Sequence, residues 1–215
     1  MGLLVLGLIW GNASISLFAQ NSSTVDRFYW ALYNNDLKKI HDLIQGGASP
    51  NGVLSSGDEP LVVAASRGFR EAMEMLLEKG ASPETRDSTG TPVLALAIQS
   101  GRLDSVRLLV RWGADPDQMD RIGRSSLWFA VQRDNPRILR QILLYRPNLE
   151  AVDQRGRTLL MVAVESGTAI LVRFLLDQGA DPWRYDYFGR SPLEYARIRE
   201  DEEILMMIRL ARNEG

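Results

Sequence analysis

The chain repeats itself every 33 residues. Gly57, Gly90, Gly123, Gly156 and Gly189 lie on one ladder, and the same frame holds Leu61, Leu94, Leu127, Leu160 and Leu193 and Ala64, Ala97, Ala130, Ala163 and Ala196. On a second ladder Gly47, Gly80, Gly113 and Gly179 each open Gly-Ala-(Ser/Asp)-Pro. Self-similarity at this period belongs to stacked arrays, in which each unit buries its apolar face only against its neighbours.

Each ladder has a physical reason. Gly after the apolar runs Met73 to Leu77 and Val106 to Val110 sits where a helix ends in a left-handed residue, and the Pro three residues later cannot continue it. Asp87, Asp120, Asp153 and Asp186 each precede a Gly by three, the spacing of a tight turn whose first side chain accepts backbone N–H bonds. Between turn and stop lie two short apolar-periodic segments, such as Pro92 to Ser100 and Leu103 to Trp112, which read as an antiparallel helix pair. The Ala ladder then marks the points where helices of adjacent units approach closely.

The pattern Gly-x-(Thr/Ser)-Pro-Leu-x-x-Ala, followed by Val-x-x-Leu-Leu-x-x-Gly-Ala-Asp, resembles the ankyrin repeat. Gly189-Arg190-Ser191-Pro192-Leu193 matches the entry to the first helix, and Val172, Leu175, Leu176, Gly179, Ala180 and Asp181 match the second helix and its exit. The resemblance implies an all-α repeat solenoid, with stacked helix-turn-helix repeats joined by β-hairpin turns. The frame divides residues 24–215 into about six repeats: 24–56 as an N-terminal cap, 57–89, 90–122, 123–155, 156–188, and 189–215 as a C-terminal cap. Phe28, Ala31, Ile40, Leu43 and Ile44 are the expected core of the first repeat. Leu205 and Ile208 are that of the last, where Arg209 replaces an apolar residue because the outer face meets water.

One repeat departs from the pattern. Arg146 replaces the exit Gly and is followed by Pro147, Ser126 replaces Pro, and Asp134 replaces the Gly between the helices. A residue before Pro is pushed out of the helical region, so Arg146 is expected to be extended and its helix to end differently. Asp134 or Asn135 is expected to cap the helix that Pro136 opens.

The inventory for catalysis is poor. Cysteine is absent and His41 is the sole histidine, at a register charged in most other repeats, so thiol catalysis and multi-histidine metal sites are excluded. Asp201, Glu202 and Glu203 open the last helix and suit its N-terminal dipole. No glycine-rich phosphate loop appears, and the aspartates occur once per repeat rather than in an oxygen-rich calcium loop. The expectation is no enzyme, no cofactor and no metal. A formal charge of -2 supplies no overall field for nucleic acid, though local basic patches stay open.

Residues 1–19 carry no charged side chain, and Leu3 to Trp10 is apolar apart from Gly7. Two readings stay open: an export signal cleaved after Ala19, or an uncleaved membrane anchor. The first places the protein in a periplasm or outside the cell, the second at a membrane.

What remains is surface. In proteins of the resembled family the partner usually meets the hairpin tips and the concave side of the first helices. Carried over by position, and weighted toward arginine and large aromatics, which dominate interface energetics, the candidate partner-binding residues are Arg121, Arg124, Gln132, Arg133, Arg155, Arg157, Arg184, Tyr185, Tyr187 and Phe188. The expected partner is a protein with an acidic surface, bound by a monomer. On this reading, charge reversal at Arg124 and Arg157 is expected to slow association.

Overall fold

A computed structural model of the chain describes residues 23–166 and 168–213; residues 1–19, with their export or anchor readings, lie outside them. Among the described residues twelve helices form six antiparallel pairs: α1 (Thr24–Tyr33) with α2 (Leu37–Gln45), α3 (Pro60–Arg67) with α4 (Arg70–Glu78), and α5 (Val93–Gln99) with α6 (Leu103–Arg111). They continue with α7 (Ser126–Gln132) and α8 (Pro136–Leu143), α9 (Leu159–Ser166) and α10 (Ala169–Asp177), and α11 (Pro192–Arg199) and α12 (Glu202–Asn213). First helices stack on first helices along the whole array, and second helices stack on second helices, with α8 and α10 the loosely packed pair. The tips between repeats are tight turns, closed by single antiparallel bridges at Arg86 with Pro92 and Met119 with Ser125.

The Ala ladder lies inside the stack: Ala64, Ala97, Ala130, Ala163 and Ala196 are all fully buried. Phe28, Ala31 and Ile40 at one end and Ile204, Leu205 and Ile208 at the other close the core, with Leu43 and Ile44 packed against it and Arg209 exposed. His41 is exposed, and Asp201 caps α12 by accepting the Ile204 N–H at 3.1 Å.

A second ladder joins the repeats through hydrogen bonds. The side chain of Asn51 accepts the Ser82 N–H, Glu84 accepts that of Asp115, Asp117 that of Asn148 and Glu150 that of Asp181, at 2.7–2.9 Å. Acceptors and donors each recur at the 33-residue period, so each of the first four loops after a second helix is stapled to the loop one repeat on.

The repeat over 123–155 corrects one expectation. Arg146 is left-handed, at φ +51°, in the place of glycines at φ between +88° and +94°. The local bias from Pro147 is overridden because Asn148 is held by the Asp117 staple, which requires the same chain path as in the other repeats. The cost is visible in the hydrogen bonds. Ala48, Ala81, Ala114 and Ala180 each donate a closing N–H to the carbonyl five residues back. Pro147, at the equivalent position, has no N–H to give, and the Ile142 carbonyl is met by the Tyr145 N–H instead. The helix α8 is one residue shorter than its equivalents. Its start follows expectation, with the Asn135 side chain capping Ile138 N–H and Pro136 in the first turn. Asp134, at φ +50°, supplies the other left-handed turn, made by Gly68 and Gly101 in the two preceding repeats and by Asn35 and Glu200 in the outer ones.

A left-handed non-glycine residue, a missing closing bond and a loose α8–α10 contact make this repeat the weak link. Arg146→Gly should raise the stability of the array by about 1 kcal/mol, since it removes left-handed strain. Hydrogen exchange should show α8 opening before the other second helices in the natural chain, and by a smaller margin in the variant. Equal protection of α6, α8 and α10 in the natural chain would show that the strain is not localised here.

Candidate protein-binding surface

The tips are built around their aspartates. Asp87 accepts the N–H groups of Thr89 and Thr91, and Asp120, Asp153 and Asp186 do the same two and four residues on. In the later tips the residue four on is an arginine that also closes an ion pair across the turn: Arg124 with Asp120 at 2.6 Å, Arg157 with Asp153 at 2.7 Å and Arg190 with Asp186 at 3.0 Å. Arg157 is the deepest, its side chain 10% exposed and shared with Glu165. Burial works against its charge, but the Asp153 hydrogen bond and the nearby carboxylates prevail and raise its pKa above the ordinary guanidinium value. Arg124 and Arg157 are therefore struts of their own turns. Charge reversal at Arg157 would break the tip before it slowed any association.

Successive tips lean on one another. Arg121 donates to the Ser88 carbonyl at 3.2 Å, Gln154 to the Arg121 carbonyl at 2.9 Å, and the Tyr187 N–H to the Arg155 carbonyl at 3.0 Å. Glycine at position 156 serves this contact as well as its left-handed φ, because a Cβ there would stand 2.5 Å from the Tyr187 ring. Tyr187 nevertheless keeps 72% of its surface exposed and Phe188 67%. Phe188 lies beside the guanidinium groups of Arg155 and Arg190, at 5.9 and 5.2 Å. Tyr185 is exposed nearby, and Arg184 approaches Glu150 at 3.9 Å. The last tip is thus an aromatic surface edged by cations, with Trp183 under Arg212 at 3.8 Å.

Gln132 and Arg133 lie elsewhere, in a concave groove between α5 and α7. Leu96 and Phe129 form its floor, Gln99, Gln132 and Arg133 its walls, and Arg124 and Thr91 its tip side. The Arg124 guanidinium stands 4.7 Å from the Phe129 ring, so the strut also lines the groove. The side chains of Gln99, Gln132 and Arg133 take part in no hydrogen bond or ion pair among the described residues, and are held over an apolar floor with their polar ends unspent. The candidate set therefore falls into two regions, the hairpin tips and the groove.

Two residues escaped the reading of the sequence. Trp30 occupies the register of Phe129, and Tyr33 that of Gln132, so they extend the concave row at its first repeat, where both are exposed. Arg67 stacks on Tyr33 at 3.9 Å. Counting back by 33 reaches Tyr33 from Gln132 and Trp30 from Phe129.

Among the described residues no group of three or more His, Cys, Asp or Glu side chains is placed to hold a metal ion. The concave row, the tips and the stacked pairs are what a family model described as ankyrin repeats, in three copies, matches over residues 28–120 and 127–210. The chain belongs to the ankyrin-repeat family. No curated protein matches it. Ankyrin repeats are protein–protein interaction modules, and this ankyrin-repeat chain is one by its family.

The last tip carries a titration test. The Tyr195 hydroxyl donates to Asp186 at 2.8 Å. Burial, the Asp186 hydrogen bond and the carboxylate's charge push the phenol up to about 12. At Asp186 burial alone would raise the pKa, but the Arg190 N–H, the Tyr195 hydroxyl and the Phe188 N–H together hold it below the ordinary value. Asp186 thus contributes stability above the ordinary carboxylate range that is lost as pH falls through its lower folded value. Tyr195 contributes stability below about pH 10 that is lost as pH rises toward its folded value. An absorbance titration should show a tyrosine step with a midpoint at about 12 that disappears in Tyr195→Phe. A curve unchanged by that substitution would contradict the assignment.

Proposed function

We propose that this chain is a non-enzymatic binding module, exported after cleavage of residues 1–19, that holds a protein partner along the concave groove and the later hairpin tips. The observation that carries the reading is the groove between α5 and α7, whose Gln99, Gln132 and Arg133 present unspent donors and acceptors above Leu96 and Phe129. A floor of apolar surface walled by adaptable polar groups is what a protein segment fills with gain on both counts. Arg133, Arg121, Arg155 and Arg184 favour an acidic partner, and the aromatic tip adds anchor area. The absence of catalysis is supported by the state of the groove's only carboxylate, Asp87, whose oxygen is already engaged by the Thr89 and Thr91 N–H groups. The monomer is the working unit on this reading.

Export rests on the uncharged, apolar stretch of residues 1–19 alone. If the stretch is retained, the same module is a membrane-tethered adaptor. Among the described residues no helix is long and apolar enough to cross a membrane, so tethering would depend on that stretch. N-terminal sequencing decides: Gln20 as the first residue supports cleavage, and an intact Met1 in the membrane fraction rejects it.

Affinity capture from the native cell tests the surface. The natural chain should retain a protein that is weakened by about 2 kcal/mol or more in Tyr187→Ala with Phe188→Ala, and comparably in Gln132→Ala with Arg133→Ala. Helical circular dichroism should be unchanged in both. Undiminished capture by both variants would move the site off the groove and the later tips.

A further inference from the structure

The convex side carries a charge pattern that the fold does not require. The solvent stripe of α4 reads Glu71, Glu74 and Glu78, whereas the same registers of α6, α8 and α10 contain Arg107, Arg111, Arg137, Arg140 and Arg173 against Asp104 and Asp177. Three of these arginines, Arg107, Arg137 and Arg140, line one shallow depression between α6 and α8, together with Leu103 and Leu144. The counter-charge there is slight. Arg107 meets Asp104 at 3.6 Å in an exposed pair and donates to Gln141 at 3.0 Å, Arg140 rests on the Phe174 ring at 5.4 Å, and Arg137 has no ion pair among the described residues. Three guanidinium groups around one depression repel one another unless an anion joins them.

The apolar neighbours narrow the choice of anion. Leu144 is 74% exposed and Ile170, at the register of Arg137 one repeat on, is 66% exposed. Trp112 and Tyr145 share another register and are both exposed at the ends of their helices, as are Met206 and Leu210 on α12. These exposed side chains are spread along several second helices, so one flat apolar layer covers more of them than a single peptide would. A bilayer surface is such a layer, and arginine with interfacial Trp and Tyr is the composition that such surfaces select. We infer that the depression between α6 and α8 binds the phosphate of an anionic phospholipid headgroup, with Leu144 and Ile170 resting in the bilayer surface. The acidic stripe of α4 then sets the orientation, because it is repelled by the same lipids. The site is separate from the concave groove, so a module docked this way keeps its protein-binding face turned to solution.

The test is co-sedimentation of the full chain with vesicles of phosphatidylcholine alone or with about one third phosphatidylglycerol. Arg107→Gln with Arg137→Gln and Arg140→Gln is compared with Lys38→Gln, Lys39→Gln and Lys79→Gln, which removes the same charge from the first two repeats. The natural chain and the lysine variant should bind the anionic vesicles alike, and the arginine variant should bind roughly a hundredfold more weakly, from about a tenfold loss for each one to two cations. All three chains carry residues 1–19, so insertion by that stretch cannot produce the difference. Equal binding by the two variants, or binding indifferent to phosphatidylglycerol, would overturn the proposal. No binding of the natural chain to either vesicle would also overturn it, and retention of inorganic phosphate by that chain but not by the arginine variant would then assign the depression to a soluble anion.

Discussion

No helix among the described residues can hold itself in water, and everything else follows from the contacts between neighbouring repeats. The helices run from seven to twelve residues, below the length at which isolated helices become stable. They are held by burial of their apolar faces against the neighbouring repeats, the alanine ladder included, and by the side-chain acceptors that catch the loop one repeat on. Stability is then a sum of nearest-neighbour terms, and a fault in one repeat stays local. The repeat around Arg146 shows such a fault: it keeps the common chain path, at the expense of a left-handed arginine and a lost closing bond.

The same economy divides the polar surface into groups that hold the fold and groups that do not. Arg124, Arg157 and Arg190 belong chiefly to the first, each pinned to its turn aspartate. Gln99, Gln132 and Arg133 belong to the second, and the cation-edged aromatics of the last tip are mostly exposed although Tyr187 is seated on Gly156. Binding capacity lies with residues whose side chains the stack leaves unspent.

Much of the architecture was legible in the sequence because repetition converts each local signal into several. One Asp three residues before Gly is weak, but four in phase announce a turn, and the structure shows those aspartates accepting the turn N–H groups. What was not legible is what depends on the neighbouring repeat. The extended conformation expected of Arg146 followed a dipeptide rule, whereas a staple from Asp117 decides its path. The acceptors Asn51, Glu84, Asp117 and Glu150 repeat at the same period, yet differ in identity and reach atoms 31 residues away, so the ladder was invisible without coordinates. The tip arginines looked like one binding set because composition does not distinguish a strut from a free cation. Trp30 and Tyr33 were hidden among core aromatics of the first repeat.

The central claim, that the concave groove between the third and fourth repeats is where a protein is held, is tested most directly by a photoreactive side chain placed at Gln132 in the natural cell. The Gln132 side chain is exposed and takes part in no hydrogen bond among the described residues, so the replacement leaves the stack intact. The account predicts a discrete cross-linked protein species from this position and none from the same group at Glu74 on the convex side. A species obtained from Glu74, with none from Gln132, would contradict it.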